Sequence, residues 1–389
     1  MPTSTDATMT LTVGGKIYAG WTGIRVTRGI DRMATDFDIE VTERWAGQDQ
    51  PWQIAIFSSC TVRIGNDLVL TGYVDDYEPH IEGETHSVRI RGRSKTEDII
   101  DCTPDLPGGQ FNGYTLDAVA RAIAQPFGID VVVQADVGAP FPGATIERHE
   151  TGFEFLERLA RLRSVLLSDD EQGRLVLTTA GASRGADALV QGENLRSLGA
   201  RLSGAKRWSE YRVKTQTGEH VVGDTWGGFG GIGTAAAAPV QQAAVVTTTN
   251  GIARDAGVPR YRPRTIIAES GLDAAGAQKR ADWQARYNQG RGTQAHLSVM
   301  GWRQSDGSLW QVNKLHPVKA PFLQLDRELL VARVTYVLDD KRGRVTDLEL
   351  GPVEAYTPDP GQVRVRRNRA RGGGGGDWNG FGNGSPGGG

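Results

Sequence analysis

Cysteine is nearly absent: Cys60 and Cys102 are the only two in 389 residues, and no CxxC pair exists. That excludes a disulfide framework and a thiol-based zinc or redox motif, and both thiols are expected to be reduced. Long apolar runs are missing too, none approaching the ~20 residues that cross a bilayer as a helix. The opening MPTSTDATMT has neither the charged start nor the apolar stretch of a secretory signal, so synthesis in the cytoplasm is the expectation. Charge of one sign is not in excess: 44 Lys and Arg against 46 Asp and Glu leave a formal net charge of −2. Nothing in that balance asks for nucleic acid or an anionic membrane, and other proteins are the expected partners. GxSxG, HExxH and a Cys/His nucleophile pair are also missing. Two carboxylates brought together by the fold would still suffice for glycoside hydrolysis, so an enzyme or carbohydrate-binding module acting on the bacterial envelope stays open as the alternative.

What the chain does have is the composition of a folded protein, 38% hydrophobic and 23% charged, at a length that predicts several domains of about 100 to 150 residues. Glycine is abundant at 52 residues, only 11 of them in the stretch 372–389. The remainder predicts many turns and hence a β-rich chain.

From Thr10 to Arg93 short alternating segments are broken by glycine. Phe37, Ile39 and Val41 alternate with Asp38 and Glu40, which puts the apolar residues on one face of a strand. Leu68–Tyr77 and His86–Arg93 continue the sheet, with Ile81–Thr85 as a hairpin connection. After Ser94 the period changes. Leu116, Val119, Ala120 and Ile123 have helical spacing behind Thr115 as N-cap, and Ile129–Val133 reads as a strand. Phe153, Leu156, Leu159, Ala160 and Arg163 form a second helix capped by Thr151, followed by a hairpin through Asp169, Asp170 and Gly173 into Leu175–Thr178. Strands return from Leu189 to Val353, interrupted by a long Gly/Ala/Thr-rich loop, 218–264, and a helix, 273–288. The final segment, rich in Pro, Arg and Gly, cannot build a core.

The two β regions resemble each other. DFDIEVTERWAGQDQPWQI from Asp36 to Ile54 is answered by QAHLSVMGWRQSDGSLWQV from Gln294 to Val312, with Trp45 matching Trp302 and Trp52 matching Trp310. LVLTGYVDD at Leu68–Asp76 is answered by LLVARVTYVLDD at Leu329–Asp340. Ordered Trp landmarks are rarer than alternation itself, so the pattern predicts a duplicated antiparallel β-barrel with an α/β segment between the copies. Two such barrels in one chain would let three chains close a ring of six near-equivalent units.

Candidate chemical motifs carry little. Gly228, Gly230 and Gly233 fit GxGxxG, but neither a leading strand nor a following helix frames them. A loop offering Trp226, Phe229 and Ile232 to a partner is the better reading. His80, Glu82, Glu84 and His86 alternate about a hairpin tip without a closed ligand set. Asp169, Asp170 and Glu171 lack calcium-loop spacing, and the acidic turn needs no function. Asp75 with Asp76, and Asp339 with Asp340, read as strand ends. No catalytic residue, metal ligand or cofactor site is expected. Near the end, Arg364, Arg366, Arg367, Arg369 and Arg371 precede glycines interleaved with Trp378 and Phe381. Such a tail is mobile alone, or a tether ordered by neighbours whose acidic groups pair with the arginines and whose surface seats the aromatics.

TGFEFLERLARLRSVLLSDDEQGRLVLT, residues 151–178, resembles the helix and hairpin of the Mu-like tail protein P family, contractile-tail baseplate hub proteins related to late control D-type hubs. RGRSKTEDIIDCT at Arg91–Thr103 and GWRQSDGSLWQVN at Gly301–Asn313 resemble it as well, and the likeness runs from about Leu11 to Tyr356. The resemblance implies a virion protein and not an enzyme: a homotrimer whose two tube-like barrels per subunit form a pseudo-sixfold ring between a hexameric tail tube and a trimeric central spike. Other baseplate proteins and the tape measure protein are further implied partners. The expected organisation is a first barrel at 9–95, an inserted α/β domain at 96–185, a second barrel at 186–356, and an Arg/Gly-rich tail at 357–389.

Overall fold

The computed structural model describes residues 8–42, 54–82, 85–106, 108–181, 183–217, 247–268 and 273–359. The first β region comprises β1 (Met9–Val13), β2 (Lys16–Tyr18), β3 (Gly23–Gly29), β4 (Asp36–Thr42), β5 (Ser59–Ile64), β6 (Asp67–Glu82) and β7 (Thr85–Ser94). A middle segment follows with α1 (Glu97–Asp101), α2 (Leu116–Ala124), β8 (Val131–Val133), α3 (Gly152–Arg161), β9 (Leu166–Asp169) and β10 (Leu175–Thr178). The second β region holds β11 (Ser183–Arg184), β12 (Leu189–Val190), β13 (Leu195–Leu202), β14 (Glu210–Thr217), β15 (Thr247–Arg254), β16 (Pro263–Ile267), α4 (Ala274–Arg291), β17 (Thr293–Met300), β18 (Lys314–Ala320), β19 (Leu325–Asp339) and β20 (Gly343–Gly351).

The protein is mainly β, with two similar barrel copies flanking the α/β segment. Copy one runs β3-β4-β7-β6-β5 and copy two runs β13-β17-β20-β19-β18, the same order; beyond these five strands the copies differ, since β1 pairs antiparallel with β5 whereas β12 pairs parallel with β18. The register agrees as well. Each long strand bulges once against its following strand, β6 between Val74 and Asp76 and β19 between Val331 and Arg333. Aligning these bulges carries Gly92 onto Leu350, and then Phe37 onto Ala295. That is the offset at which Asp36 matches Gln294 in the sequence. Trp302 and Trp310 are buried, while Trp45 and Trp52 lie outside the described residues.

The bulge corrects one part of the sequence reading. Asp75 and Asp76 sit in mid-strand, at the bulge, and β6 continues six residues further to Glu82. Its partner on β19 is the Val331–Arg333 step, whereas Asp339 closes β19 at its hairpin. The Asp-Asp pairs are therefore not equivalent; the shared pattern there is alternation, which recurs every two residues and tolerates a sliding match.

The copies are not separate sheets. β3 pairs antiparallel with β19 from Ile24↔Leu338 to Gly29↔Arg333, so among the described residues fourteen strands form one hydrogen-bonded sheet, and one apolar cluster runs through both copies. β19 can serve both because its first half pairs with β18 and its second half with β3.

The middle segment has its own core beneath the β8-β10-β9 sheet. Thr151 caps α3 with a full capping box: its hydroxyl accepts from the Glu154 N–H while the Glu154 carboxylate accepts from the Thr151 N–H. Phe155, Leu156, Leu159 and Ala160 are buried. Phe153, expected on that face, is only partly buried, as is Leu162, because α3 also packs on α1 and α2 and its buried stripe turns toward Phe155.

The stretch read as a long loop contains β15, which pairs with β14, and β16 adds on the other side of β14. This small sheet carries α4, which runs to Arg291 and not to 288. Ala277, Ala281 and Ala285 line one helix face at four-residue spacing, and Gly251 on β15 sits so close that an added Cβ would meet the Ala277 carbonyl at 2.1 Å. The whole unit occupies the β13–β17 connection, which in copy one is only Ile30–Thr35.

Candidate assembly surfaces

The residues singled out for partner contact, Trp226, Phe229 and Ile232 in the loop and Arg364, Arg366, Arg367, Trp378 and Phe381 in the tail, all lie outside the described residues. So do the glycines of the GxGxxG pattern and Glu84. What the described residues present is the scaffold on which those segments are mounted.

Three polar junctions hold that scaffold in one shape. The first is at the acidic turn, Asp169 to Glu171, for which the sequence asked no function. Arg28 of β3, 8% exposed, pairs with Glu171 and donates to the Asp169 carbonyl at 3.1 Å. The Asp169 carboxylate accepts from the Thr35 N–H at 3.0 Å and the Thr35 hydroxyl at 2.9 Å. The acidic turn is thus the dock of the α/β segment onto copy one. Burial raises the Asp169 pKa against the pull of Arg28; at Glu171 burial acts upward too, but Arg28 and its hydrogen bond hold the carboxyl below its ordinary value. Sequence spacing could not find this dock, since the two sides are 143 residues apart.

The second junction is Asn313, whose side chain accepts from Gly181 N–H at 2.7 Å and donates to the Thr179 carbonyl at 2.9 Å, fastening the exit of the α/β segment to copy two. The third is Arg303 in copy two, which pairs with Asp67 of copy one at 2.6 Å and donates to the Ile64 carbonyl at 3.2 Å.

A carboxylate group surrounds Arg93, with Asp75 and Asp101 at 2.8 Å and Glu97 at 3.0 Å. Burial, with the charge of Asp75 adding to it, pushes Glu97 up to about 8. All three acids contact one arginine, so the group reads as an ion network at the root of α1. Among the described residues no set of three or more His, Cys, Asp or Glu is placed to hold a metal ion. His80 lies 3.7 Å from Glu82 at the exposed end of β6, and Cys60 is buried with its thiol pushed up to about 12. A cleft of about 360 Å³ between α3, α4 and the 355–359 turn is lined by Trp283 and Tyr287, stacked at 4.8 Å, with Glu157 and Arg291.

Large apolar side chains stand exposed at several tips, including Phe57, Tyr261, Ile267 and Phe322. Two strand edges are open as well: among the described residues no strand pairs with the outer edge of β13 or with the β5-side edge of β6 beyond Asp76. No helix among the described residues is long and apolar enough to cross a membrane.

Comparison with known proteins matches this architecture piece by piece. Residues 8–94 fit the Mu phage baseplate assembly protein GpP-like N-terminal domain, 96–179 the second domain of baseplate hub protein gp44-like proteins, and 273–359 the GpP fourth domain. The chain is 34% identical to baseplate hub protein gp44 of Escherichia phage Mu, over 90% of this chain and 89% of that one. Among solved structures, the 43 kDa tail protein of prophage MuSo2 from Shewanella oneidensis superposes with TM-score 0.77 at 35% identity, covering 90% of this chain and 99% of that one. A tail protein from Neisseria meningitidis MC58 shares the fold with TM-score 0.72 at 20% identity, covering 91% and 99%. With the duplicated barrels, the docked α/β segment and this agreement along nearly the whole length, the chain belongs to the family of Mu-like phage baseplate hub proteins, structural components of the tail and not enzymes.

Proposed function

We propose that this hub protein is a homotrimeric adapter, three chains supplying six barrel copies in a pseudo-sixfold ring between a hexameric contractile-tail tube and a trimeric central spike. The observation that carries the reading is the duplication: strand order, bulge position and register repeat in the two copies. Six near-equivalent units in three chains match a sixfold neighbour on one side and a threefold neighbour on the other. Other baseplate proteins and the tape measure protein are further partners, and assembly takes place in the host cytoplasm. The loop with Trp226, Phe229 and Ile232 and the tail from Arg364 to Phe381 supply contacts to these neighbours.

Mass measurement of the purified complex with its spike tests the reading. Three copies of this chain are expected, and two or six would end it. Truncation at Arg371 separates the tail from the ring: loss of spike or tube partners with the fold intact is expected, and particles that assemble normally would show the tail to be dispensable.

A further inference from the structure

The chain contains one complete junction between a copy-one barrel and a copy-two barrel, and that junction has an unfilled counterpart. Inside the chain, β3 of copy one pairs with the second half of β19 of copy two. The strand equivalent to β3 is β13, since Val26 pairs with Phe37 and Ala200 with Ala295, and Phe37 and Ala295 are the bulge-aligned positions. The stretch equivalent to Arg333–Leu338 is Asp76–Ile81, the first residues after the bulge in each copy. Both the outer edge of β13 and that edge of β6 lack a strand partner among the described residues.

We propose that β13 of one subunit pairs antiparallel with the distal half of β6 of a second copy of this chain, in the register of the internal β3–β19 junction. This rests on the ring reading above and gives it an interface. Leu338 opposite Ile24 becomes Ile81 opposite Leu198, and Thr335 opposite Thr27 becomes Glu78 opposite Arg201. The side chains meet the transferred register. Ile81 is 67% exposed and gains an apolar neighbour in the half-buried Leu198. Glu78, already 3.0 Å from Arg91, faces the exposed guanidinium of Arg201, an opposite-charge cross-strand pair. Pro79 falls opposite Ala200; it has no N–H to give, so the ladder is one donor short there, and a proline with charged neighbours on an open edge discourages pairing with unrelated strands. Head-to-tail repetition of one junction, alternately within and between chains, is the heterologous contact that closes rings.

The test places cysteines at Glu78 and Arg201 in a Cys102→Ser chain and oxidises the purified full-length protein. A four-residue register control carries Glu82→Cys with Arg201→Cys. Directly opposite residues have Cβ atoms about 4.5 to 5.5 Å apart, near disulfide reach, whereas the control pair is separated by over ~10 Å. Denaturing gels without reductant are expected to show two-chain and three-chain products for the first pair and none for the control. Charge reversal gives a second readout: Glu78→Arg should weaken association about tenfold or more, and adding Arg201→Glu should restore it. Trimers that form without the crosslink, or that crosslink equally in the control, overturn the strand pairing and leave the ring. Crosslinks in an assembly that is not threefold support the pairing and overturn the ring. A chain that stays monomeric at every concentration and never crosslinks overturns both.

Discussion

Phe57 and Asn313 occupy the same place in the two barrel copies. Each has a left-handed backbone with φ of 63°, and each donates its N–H to the carbonyl before the bulge, Phe57 to Val74 at 2.7 Å and Asn313 to Val331 at 2.9 Å. The side chains have diverged: Asn313 fastens the α/β segment, whereas Phe57 is 79% exposed. The duplication has kept the backbone and assigned the two positions different jobs.

Asparagine tolerates left-handed φ better than phenylalanine does, since its short polar side chain bonds locally. Phe57→Asn should therefore raise the stability of the isolated chain by about 0.5 to 1 kcal/mol, while Asn313→Ala should lower it by about 1 to 3 kcal/mol through unpaired Gly181 and Thr179 groups. Urea midpoints of the two variants check this, and a loss at Phe57 matching that at Asn313 would count against it.

Removing the Arg28 side chain leaves the Asp169 and Glu171 carboxylates at the dock without their cation. Arg28→Met is expected to cost about 3 to 5 kcal/mol, the scale for breaking one side of a buried pair. Limited proteolysis should then cut between the α/β segment and the barrels sooner than in the unaltered chain. Equal protease resistance would mean that Asn313 and the apolar contacts suffice for docking.

Leu159 of α3 is fully buried in the apolar core of the α/β segment. Leu159→Ala should cost about 2 to 5 kcal/mol, transfer and cavity together. Leu162→Ala, at a half-buried site, should cost clearly less, and thermal melts of the pair give the comparison.

Glu97 binds its proton more tightly in the folded chain, at about 8 against 4.5 for a free side chain. Its contribution is full below pH ~4.5 and is lost as the pH rises through about 8. Glu97→Gln fixes the neutral form, so the variant should gain on the unaltered chain across that window. Denaturant titrations at pH 5 and pH 8.5 measure the difference, and a gap that does not widen with pH would refute the assignment.

Much of the architecture was legible because it is written in local period and landmark residues. Alternation at Phe37, Ile39 and Val41 is a half-buried strand whatever surrounds it, and all three are buried. Thr151 with Glu154 three residues on defines a helix start through bonds within one turn. The Trp-centred repeat announced two copies of one barrel, and the strand order bears that out. The family followed from motif-length stretches in the same way.

Tertiary structure alone decided how those pieces are joined. Arg28 and Glu171 are one charge each among many in the sequence, and no spacing rule connects them across 143 residues. The β3–β19 junction is likewise invisible, because strand partners are chosen by edges that become available only once both copies have folded. The bulge at Asp75 and the strand hidden at Thr247–Arg254 were missed for related reasons. A bulge inserts a residue without changing the alternation beside it, and TTTNGIAR has loop-like composition until α4 covers it. Local chemistry specified the elements; which edges and buried charges meet was set by three-dimensional packing, since those energies exist only between surfaces already formed.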